Sequence, residues 1–255
     1  MIIESDDLQL LTETLRKTML TASGQKLDAA LAELGWLEML EEMPDTAIPL
    51  VFRLLGETGA HAPVINDVVS PQIVPLPYAG GSWVIWDRTD EPGNAVDDEL
   101  PIHRASSGDP IPLAAGRRAL GWWLVGTSRA MLSLAREHAL VRMQFGKPVA
   151  SFQAIRHKLA ETLVAIEGAE ATLGAATDDF SSLLAKAAAG QAALTAAKHC
   201  QQVLGGIGFT AEHELHRHIK RALVLDGLLG SARELTREAG ARLRAAGSAP
   251  RLIDL

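Results

Sequence analysis

The distribution of proline constrains the fold of this chain more than any other feature of its sequence. Eight of the twelve prolines fall between residues 61 and 112, and each removes a backbone donor and restricts the residue before it. Helix is therefore disfavoured there, and the short apolar runs at 64–65, 73–74 and 83–86 predict a few strands joined by turns. We expect a short N-terminal helical region (residues 1–60), a reduced β segment (61–112) and a C-terminal helical bundle (113–255).

The apolar residues of the first 60 positions recur at intervals of three or four, which is the spacing of one helix face. One helix is predicted at 8–19 and a second at 27–40. Pro44 and Pro49 should interrupt the helical pattern, and a third, short helix is predicted at 51–55.

The last 140 residues are rich in alanine and carry signals for the starts and ends of helices. Ser151 is the expected N-cap of one helix, and Asp178 begins the next. Gly205 should end that helix, and Ser231 with Glu234 forms the capping-box pattern of the last one. Four or five antiparallel helices with short loops predict a mainly α chain built on a bundle. The expected helices cover residues 113–142, 152–173, 178–203 and 214–225, with the last beginning at 231.

Charge and cysteine content exclude several classes of protein. The chain has 24 Lys+Arg and 31 Asp+Glu, a formal net charge of −7, which argues against binding nucleic acid or an anionic membrane surface. No apolar run approaches the length of a membrane span, and the acidic N-terminus does not resemble a signal peptide. The single cysteine, Cys200, fits a reducing compartment. We therefore expect a globular cytoplasmic protein.

Two short motifs carry the strongest family signal. Arg142, Phe145-Gly146-Lys-Pro and the following Phe152-Gln153 match the pattern R-x-x-F-G-x-P and then F-Q. Residues 202–209 read Gln-Val-Leu-Gly-Gly-Ile-Gly-Phe, against Q-x-x-G-G-x-G-F. In this order and spacing, the chain resembles the acyl-CoA dehydrogenase family. Weaker matches are Leu34-Gly-Trp36, residues 56–63, Arg221-Ala222 and Gly230-Ser231.

The resemblance implies an N-terminal helical domain, a central β domain and a C-terminal four-helix bundle. In this chain the N-terminal region is truncated and the β segment is reduced, and the family's motifs for the flavin ring are not recognisable in residues 61–112. The motifs that reach the FAD tail of a neighbouring subunit are present, and their chemistry is suitable, because guanidinium pairs with phosphate and glycine admits close approach. The residues expected to bind FAD, shared with a partner subunit, are Arg142, Gln144, Phe145, Gln153, Gln202, Gly205 and Gly206.

Both positions at which the family places its catalytic carboxylate are empty in this chain. In the family, this base removes the α-proton of the acyl-CoA while FAD accepts the β-hydride, and the weak acidity of a thioester makes the base necessary. Alignment of the glycine motifs places one base position at Leu229, and counting back from Arg142 places the other at Gly116. Neither side chain accepts a proton, so the resemblance implies a chain without a catalytic residue of its own.

A chain that lacks the base and the ring motifs but retains the tail motifs fits a heteromeric dehydrogenase. The implied partner is a longer acyl-CoA dehydrogenase homologue that carries the catalytic Glu in an α2β2 assembly. The implied substrate is an acyl-CoA, for which a bulky steroid-derived thioester is one candidate. Two alternatives stay open, namely a shortened active enzyme in which Asp226 replaces the base, and a non-enzymatic scaffold derived from the family.

Three further patterns have simpler interpretations. His213 and His216 are three residues apart, but the H-E-x-x-H order is absent and the other nearby ligands are only Glu or Asp, so we expect no metal site. Cys200 is expected to be a buried thiol. Residues 122–125 are apolar and consecutive, so they point to all sides of a helix. We expect a partner to cover them and the isolated chain to be unstable or to aggregate.

Overall fold

The computed structural model describes residues 5–89 and 91–249. Helices dominate it, as the apolar patterns predict, and a short antiparallel sheet follows the N-terminal helices in the chain. The helices are α1 (Ser5–Thr21), α2 (Gln25–Glu33), α3 (Trp36–Glu42), α4 (Pro44–Thr58), α5 (Ile65–Val69), α6 (Ala114–Val141), α7 (Gln153–Gly174), α8 (Asp179–Leu204), α9 (Leu215–Gly227) and α10 (Ala232–Ala246). The strands are β1 (Leu76–Tyr78), β2 (Ser82–Trp86), β3 (Ile102–Ala105), β4 (Met143–Gln144) and β5 (Lys147–Pro148).

The N-terminal helices differ from the sequence prediction at two places. The helix predicted at 27–40 is divided into α2 and α3, because Gly35 adopts a left-handed backbone conformation (φ 81°). Pro49, which was expected to interrupt helical structure, lies inside α4. That helix buries an apolar face that includes Val51, Phe52 and Leu55, and this burial outweighs one missing backbone hydrogen bond.

The middle segment forms a three-stranded antiparallel sheet in the order β1-β2-β3. The run at 83–86 is a strand, as predicted. The runs at 64–65 and 73–74 are not strands, since the first opens helix α5 and the second lies in a connecting segment. A two-residue apolar run does not distinguish strand from helix, and here the preceding proline starts a helical turn.

α4 and α6 cross with their backbones almost in contact. A Cβ added at Gly56 would lie 2.4 Å from the carbonyl oxygen of Trp123, and one added at Gly126 would lie 2.1 Å from that of Arg53. A larger residue at either glycine would force the helices apart. The ring of Trp123 lies close to this crossing, in edge contact with Phe52 at a centroid distance of 5.7 Å.

The expectation that a partner must cover residues 122–125 is wrong for three of the four. Trp123, Leu124 and Val125 are fully buried inside the chain, because α4, α7, α8 and α9 all pack against α6. Trp122 keeps partial exposure. This burial removes the reason for expecting the isolated chain to be unstable.

The C-terminal helices alternate in direction, and this brings three helix ends together. Gly121 of α6 packs on Leu173 of α7, and Arg129 of α6 donates to Glu170 of α7, so these helices are antiparallel. α8 then runs back along α7, where Thr162 contacts His199 at 3.0 Å. The last residues of α6, the first of α7 and the last of α8 consequently share one end of the bundle.

The helix start predicted at Asp178 and the capping box predicted at Ser231 are confirmed, and the N-cap predicted at Ser151 is wrong. Asp178 caps α8 and Ser231 caps α10, each in a reciprocal capping box. Ser151 does not cap α7, because its hydroxyl donates to the carbonyl of Pro148 within a short 3-10 turn before the helix. The sequence pattern at a helix start was therefore reliable for α8 and α10, and it failed for α7 because a separate 3-10 turn precedes that helix.

Candidate functional site

The chain between α6 and α7 forms a hairpin at the shared end of the bundle. β4 pairs with β5, and both turn residues, Phe145 and Gly146, have positive φ (51° and 75°). A two-residue turn of this kind matches the right-handed twist of the strands. The side chains of Arg142, Gln144 and Phe145 are all exposed on it.

Phe145 combines two properties that disfavour an aromatic residue. Its side chain is 91% exposed, and a left-handed backbone costs a residue with a Cβ about 1–2 kcal/mol. Among the described residues its ring contacts that of Phe152, at a centroid distance of 6.1 Å. The tip of the hairpin therefore carries an aromatic ring that the chain itself leaves largely uncovered.

The end of the bundle that carries the hairpin is basic, although the chain as a whole is acidic. The Arg142 guanidinium forms no ion pair with any described residue, and neither do the nearby Arg136, Arg156, Lys158 and Lys198. Uncompensated cations of this kind attract anionic groups.

The predicted glycine turn follows α8 at the same end. Gly205 has a φ of 65° and ends the helix. A Cβ added at Gly205 or Gly206 would meet no atom within 4 Å, so packing inside the chain does not require glycine at either position. Gln202 is exposed, and the exposed Gln153 has its Nε2 3.4 Å from Nε2 of His157. The structure thus brings the residues expected to bind FAD to one end of the bundle.

The two predicted base positions, Gly116 and Leu229, lie against each other although they are far apart in the sequence. A Cβ added at Gly116 would lie 2.8 Å from Cδ1 of Leu229 and 2.5 Å from Cγ1 of Val69. Leu229 is 1% exposed. Hydrocarbon therefore fills the space between the two positions.

Two buried cations hold the turn that carries Leu229. Nζ of the fully buried Lys186 donates to the carbonyls of Asp226 and Gly230, at 2.6 Å in each case. Nε of Arg117 donates to the carbonyl of Leu229 at 3.3 Å. Burial lowers the pKa of Lys186 to about 7, although the charge of Asp226 opposes the shift. Because Leu229 has a positive φ of 57°, these bonds stabilise a strained turn.

The same turn also fastens the sheet to the bundle. The amide of Leu229 donates to the carbonyl of Pro77 in β1 at 2.8 Å, and Glu234 accepts from the amide of Gly80 at 2.8 Å. Sequence reasoning missed the part that Lys186 plays. The sequence did contain an indication that this lysine is buried, because Lys186 is the one charged residue between positions 182 and 197 of an alanine-rich run.

Asp226, the suggested replacement base, has a structural position. Its Oδ1 accepts the amide of Ala232 at 3.0 Å, at the start of α10. The carboxylate points into the bundle, where a Cβ added at Gly190 would lie 2.2 Å from the same oxygen. This geometry gives no support to Asp226 as a proton acceptor for a substrate.

His213 and His216 form hydrogen bonds with neighbouring backbone groups, and Cys200 is buried. Nδ1 of His213 accepts the amide of Leu215 at 3.1 Å, and Nδ1 of His216 lies 2.8 Å from the carbonyl of His213. The described residues contain no group of three or more His, Cys, Asp or Glu arranged to hold a metal ion. Cys200 is buried, and burial raises the pKa of its thiol to about 12. Within the described ranges, no helix has both the length and the apolar character to cross a bilayer.

Curated proteins similar to this chain are acyl-CoA dehydrogenases. FadE34 of Mycobacterium tuberculosis is 36% identical over 254 residues, which cover 88% of this chain and 34% of the relative. IpdE2 of the same organism is 39% identical over 224 residues, which cover 83% of this chain and 70% of the relative. The chain thus spans about a third of the length of FadE34 and most of IpdE2.

Solved structures show the same fold. The Tcur3481-Tcur3483 steroid ACAD matches with a TM-score of 0.72 and 17% identity, covering 95% of this chain and 99% of the matched one. The ChsE4-ChsE5 complex from Mycobacterium tuberculosis matches with a TM-score of 0.70 and 16% identity, covering 98% and 99%. The sequence model of the family "Acyl-CoA dehydrogenase, C-terminal domain" matches residues 112–243, about half of the chain. With that match and the identity to IpdE2, the chain belongs to the acyl-CoA dehydrogenase family.

Proposed function

We propose that this chain is a subunit of a heteromeric, FAD-dependent acyl-CoA dehydrogenase, without a base of its own, and that it helps to bind FAD across the interface. The observation that carries the proposal is the contact between Gly116 and Leu229. The two positions predicted for the family's base lie in contact there, and neither glycine nor leucine can accept a proton.

The surroundings of this contact support the proposal. The buried basic groups next to this contact, Lys186 and Arg117, already donate hydrogen bonds to backbone carbonyls of the turn. A general base must reach the proton that it removes, and Asp226, the nearest carboxylate in the turn, is directed into the bundle. A thioester α-proton would find no acceptor on this turn.

The hairpin end has the opposite character and fits the tail of FAD. Arg142 offers an unpaired guanidinium for phosphate oxygens. The open space beside Gly205 and Gly206 lets the FAD tail approach the backbone. The exposed ring of Phe145 offers an aromatic surface to the same ligand. When bound, FAD would supply the hydride acceptor. This chain would neutralise phosphate charge, cover the tail and exclude water from it.

The partner and substrate follow from the relatives. Two structural neighbours are named as pairs of chains, ChsE4-ChsE5 and Tcur3481-Tcur3483, and the second is named a steroid ACAD. We propose a longer homologue with an intact catalytic Glu as the partner, an α2β2 assembly, and a bulky CoA thioester as the substrate. Apolar side chains exposed at the hairpin end would meet that partner. They are Leu140, Val141, Met143, Phe145, Ile207 and Phe209.

The test is flavin retention in the co-purified complex. The chain alone should be colourless, and co-expression with a full-length homologue should give a yellow complex. Arg142→Ala should weaken FAD binding about ten- to a hundredfold, because it removes one charge-assisted phosphate contact. Arg233→Ala is the matched control, since Arg233 is also exposed and forms no ion pair with a described residue, but it lies at the start of α10 and not at the hairpin end.

Three results would contradict the proposal. The first is dye reduction with an acyl-CoA by the chain alone, which would favour a shortened active enzyme. The second is a complex that stays colourless with every homologue, which would favour a scaffold. An unchanged FAD dissociation constant in Arg142→Ala would remove Arg142 from the site.

A further inference from the structure

A large cavity, open to solvent, lies between α2, α3 and α5, and none of the residues proposed to bind FAD lines it. Its volume is about 910 Å³, within the range of small-molecule sites. α2 presents Ala29 and Ala32 to the cavity, and α5 presents Val68 and Val69. Larger side chains on that face of α2 would fill the space, so the two alanines keep it open.

One wall of the cavity is a fixed hydrogen-bond network. Nη1 of Arg88 donates to both carboxylate oxygens of Asp28, at 2.8 and 2.7 Å, and Nη2 donates to Asp67. Nε1 of Trp36 donates to Asp67 at 2.9 Å. The side chains of Asp28 and Asp67 are 17% and 13% exposed. Polar groups held in this way are preorganised, because a ligand need not order them.

The carboxylates of this wall retain capacity to accept hydrogen bonds. An ionised carboxylate has about four acceptor positions, and the described donors occupy two on Asp67, one on each oxygen. Burial raises the pKa of Asp67, and the bonds from Trp36 and Arg88 do not fully offset it. The ionised form of Asp67 would therefore gain from one more donor.

The charge around the cavity selects against anions. Among the described residues, Asp28, Asp67 and Glu41 line it together with one cation, Arg88. A carboxylate or phosphate would be repelled by this negative excess. The predicted FAD end of the bundle is basic, so the two surfaces select ligands of different charge.

We infer that this cavity binds a small, uncharged apolar molecule that carries a hydroxyl group. The hydroxyl donates to a carboxylate oxygen of Asp28 or Asp67, and the apolar body lies against the alanines of α2 and the valines of α5. This site is additional to the proposed function and shares no residue with the hairpin.

Three matched probes test the inference on the chain itself, with binding followed through the amide NMR shifts of Ala29 and Val68, which line the cavity. 2-Naphthol has an apolar body and a hydroxyl, naphthalene lacks the hydroxyl, and 2-naphthoate carries a negative charge instead. We expect saturable binding of 2-naphthol, about tenfold weaker binding of naphthalene through loss of one hydrogen bond, and the weakest binding of 2-naphthoate.

Two variants locate the probe. Ala32→Trp should weaken 2-naphthol binding by occupying the part of the cavity beside α2, whereas Ala171→Trp, at an exposed alanine of α7, should leave it unchanged. Full binding by Ala32→Trp, equal affinity for 2-naphthol and 2-naphthoate, or no saturable 2-naphthol binding would each overturn the inference. FAD retention in the complex is read separately, so failure here leaves the proposed function standing, and the reverse also holds.

Discussion

Phe145 and Leu229 are the two described non-glycine residues with positive φ, and they lie in the two regions on which the functional argument rests. Leu229 is buried, and hydrogen bonds from Lys186 and Arg117 and to Pro77 hold its turn. Phe145 is 91% exposed, and little within the chain offsets its strained backbone. Strain that the fold compensates is a structural feature. Strain that it leaves uncompensated points to a contact outside the chain.

The largest loss of stability should come from truncating the buried side chain of Leu229. Leu229→Ala removes the side chain that packs on Gly116 and Val69, and the cavity should lower the free energy of unfolding by about 2–5 kcal/mol. Urea denaturation measures this change. Phe145→Ala is the control from the exposed region and should change stability by less than about 0.5 kcal/mol. Equal losses in the two variants would remove the contrast between the regions.

The next largest effect is a dependence of the free energy of unfolding on pH, caused by Lys186. Lys186 has a pKa lowered to about 7 in the fold, from an ordinary value of 10.5. Between these values the unfolded chain binds more protons than the folded chain, so stability should rise with pH by up to about 1.4 kcal/mol per unit. Urea unfolding at pH 7, 8 and 9 should show the rise in the wild type and lose it in Lys186→Met.

Lys198→Met is the matched control for this pH dependence, because Lys198 is exposed on the same helix. It should keep the rise of the wild type. An identical slope in Lys186→Met and the wild type would show that the buried lysine is not its source.

The smallest expected effect is that of Phe145→Asn, which should stabilise the isolated chain but weaken FAD binding in the complex. Phe145→Asn puts the residue preferred before glycine at the first position of the hairpin turn. We expect the isolated chain to gain about 1 kcal/mol from relieved backbone strain, while the complex with its partner retains FAD less well. Thermal melts of the chain and flavin release from the complex measure the two. A destabilised isolated chain would mean that Phe145 supports its own fold.

Helix starts in the bundle could be predicted because local signals specify them. Asp178 and Ser231 act through residues three positions away, so a short window contains all the necessary information. Gly35 was missed as a helix break, because the apolar spacing continues across it and only its backbone conformation reveals the division. Pro49 misled for the converse reason, since burial of the surrounding helix compensates for one lost hydrogen bond.

The candidate site was predictable only as separate pieces. Family resemblance predicted that Gly116 and Leu229 stand where the family has its base, but no pattern in the sequence shows that the two pack together. The Lys186 contacts are equally non-local, since they join α8 to the turn between α9 and α10. Likewise, Asp28, Asp67 and Arg88 come from three separate elements, and only the folded chain reveals the wall that they build.

The burial of Cys200 has a practical consequence for labelling. Thiol reagents attack thiolates, and a buried thiol whose pKa is raised to about 12 is almost never ionised at neutral pH. A cysteine introduced at the hairpin by Lys147→Cys would then be the one reactive thiol of the folded chain, with no native residue to remove first. A fluorophore attached there would report by its emission when another macromolecule comes to rest on that end of the bundle.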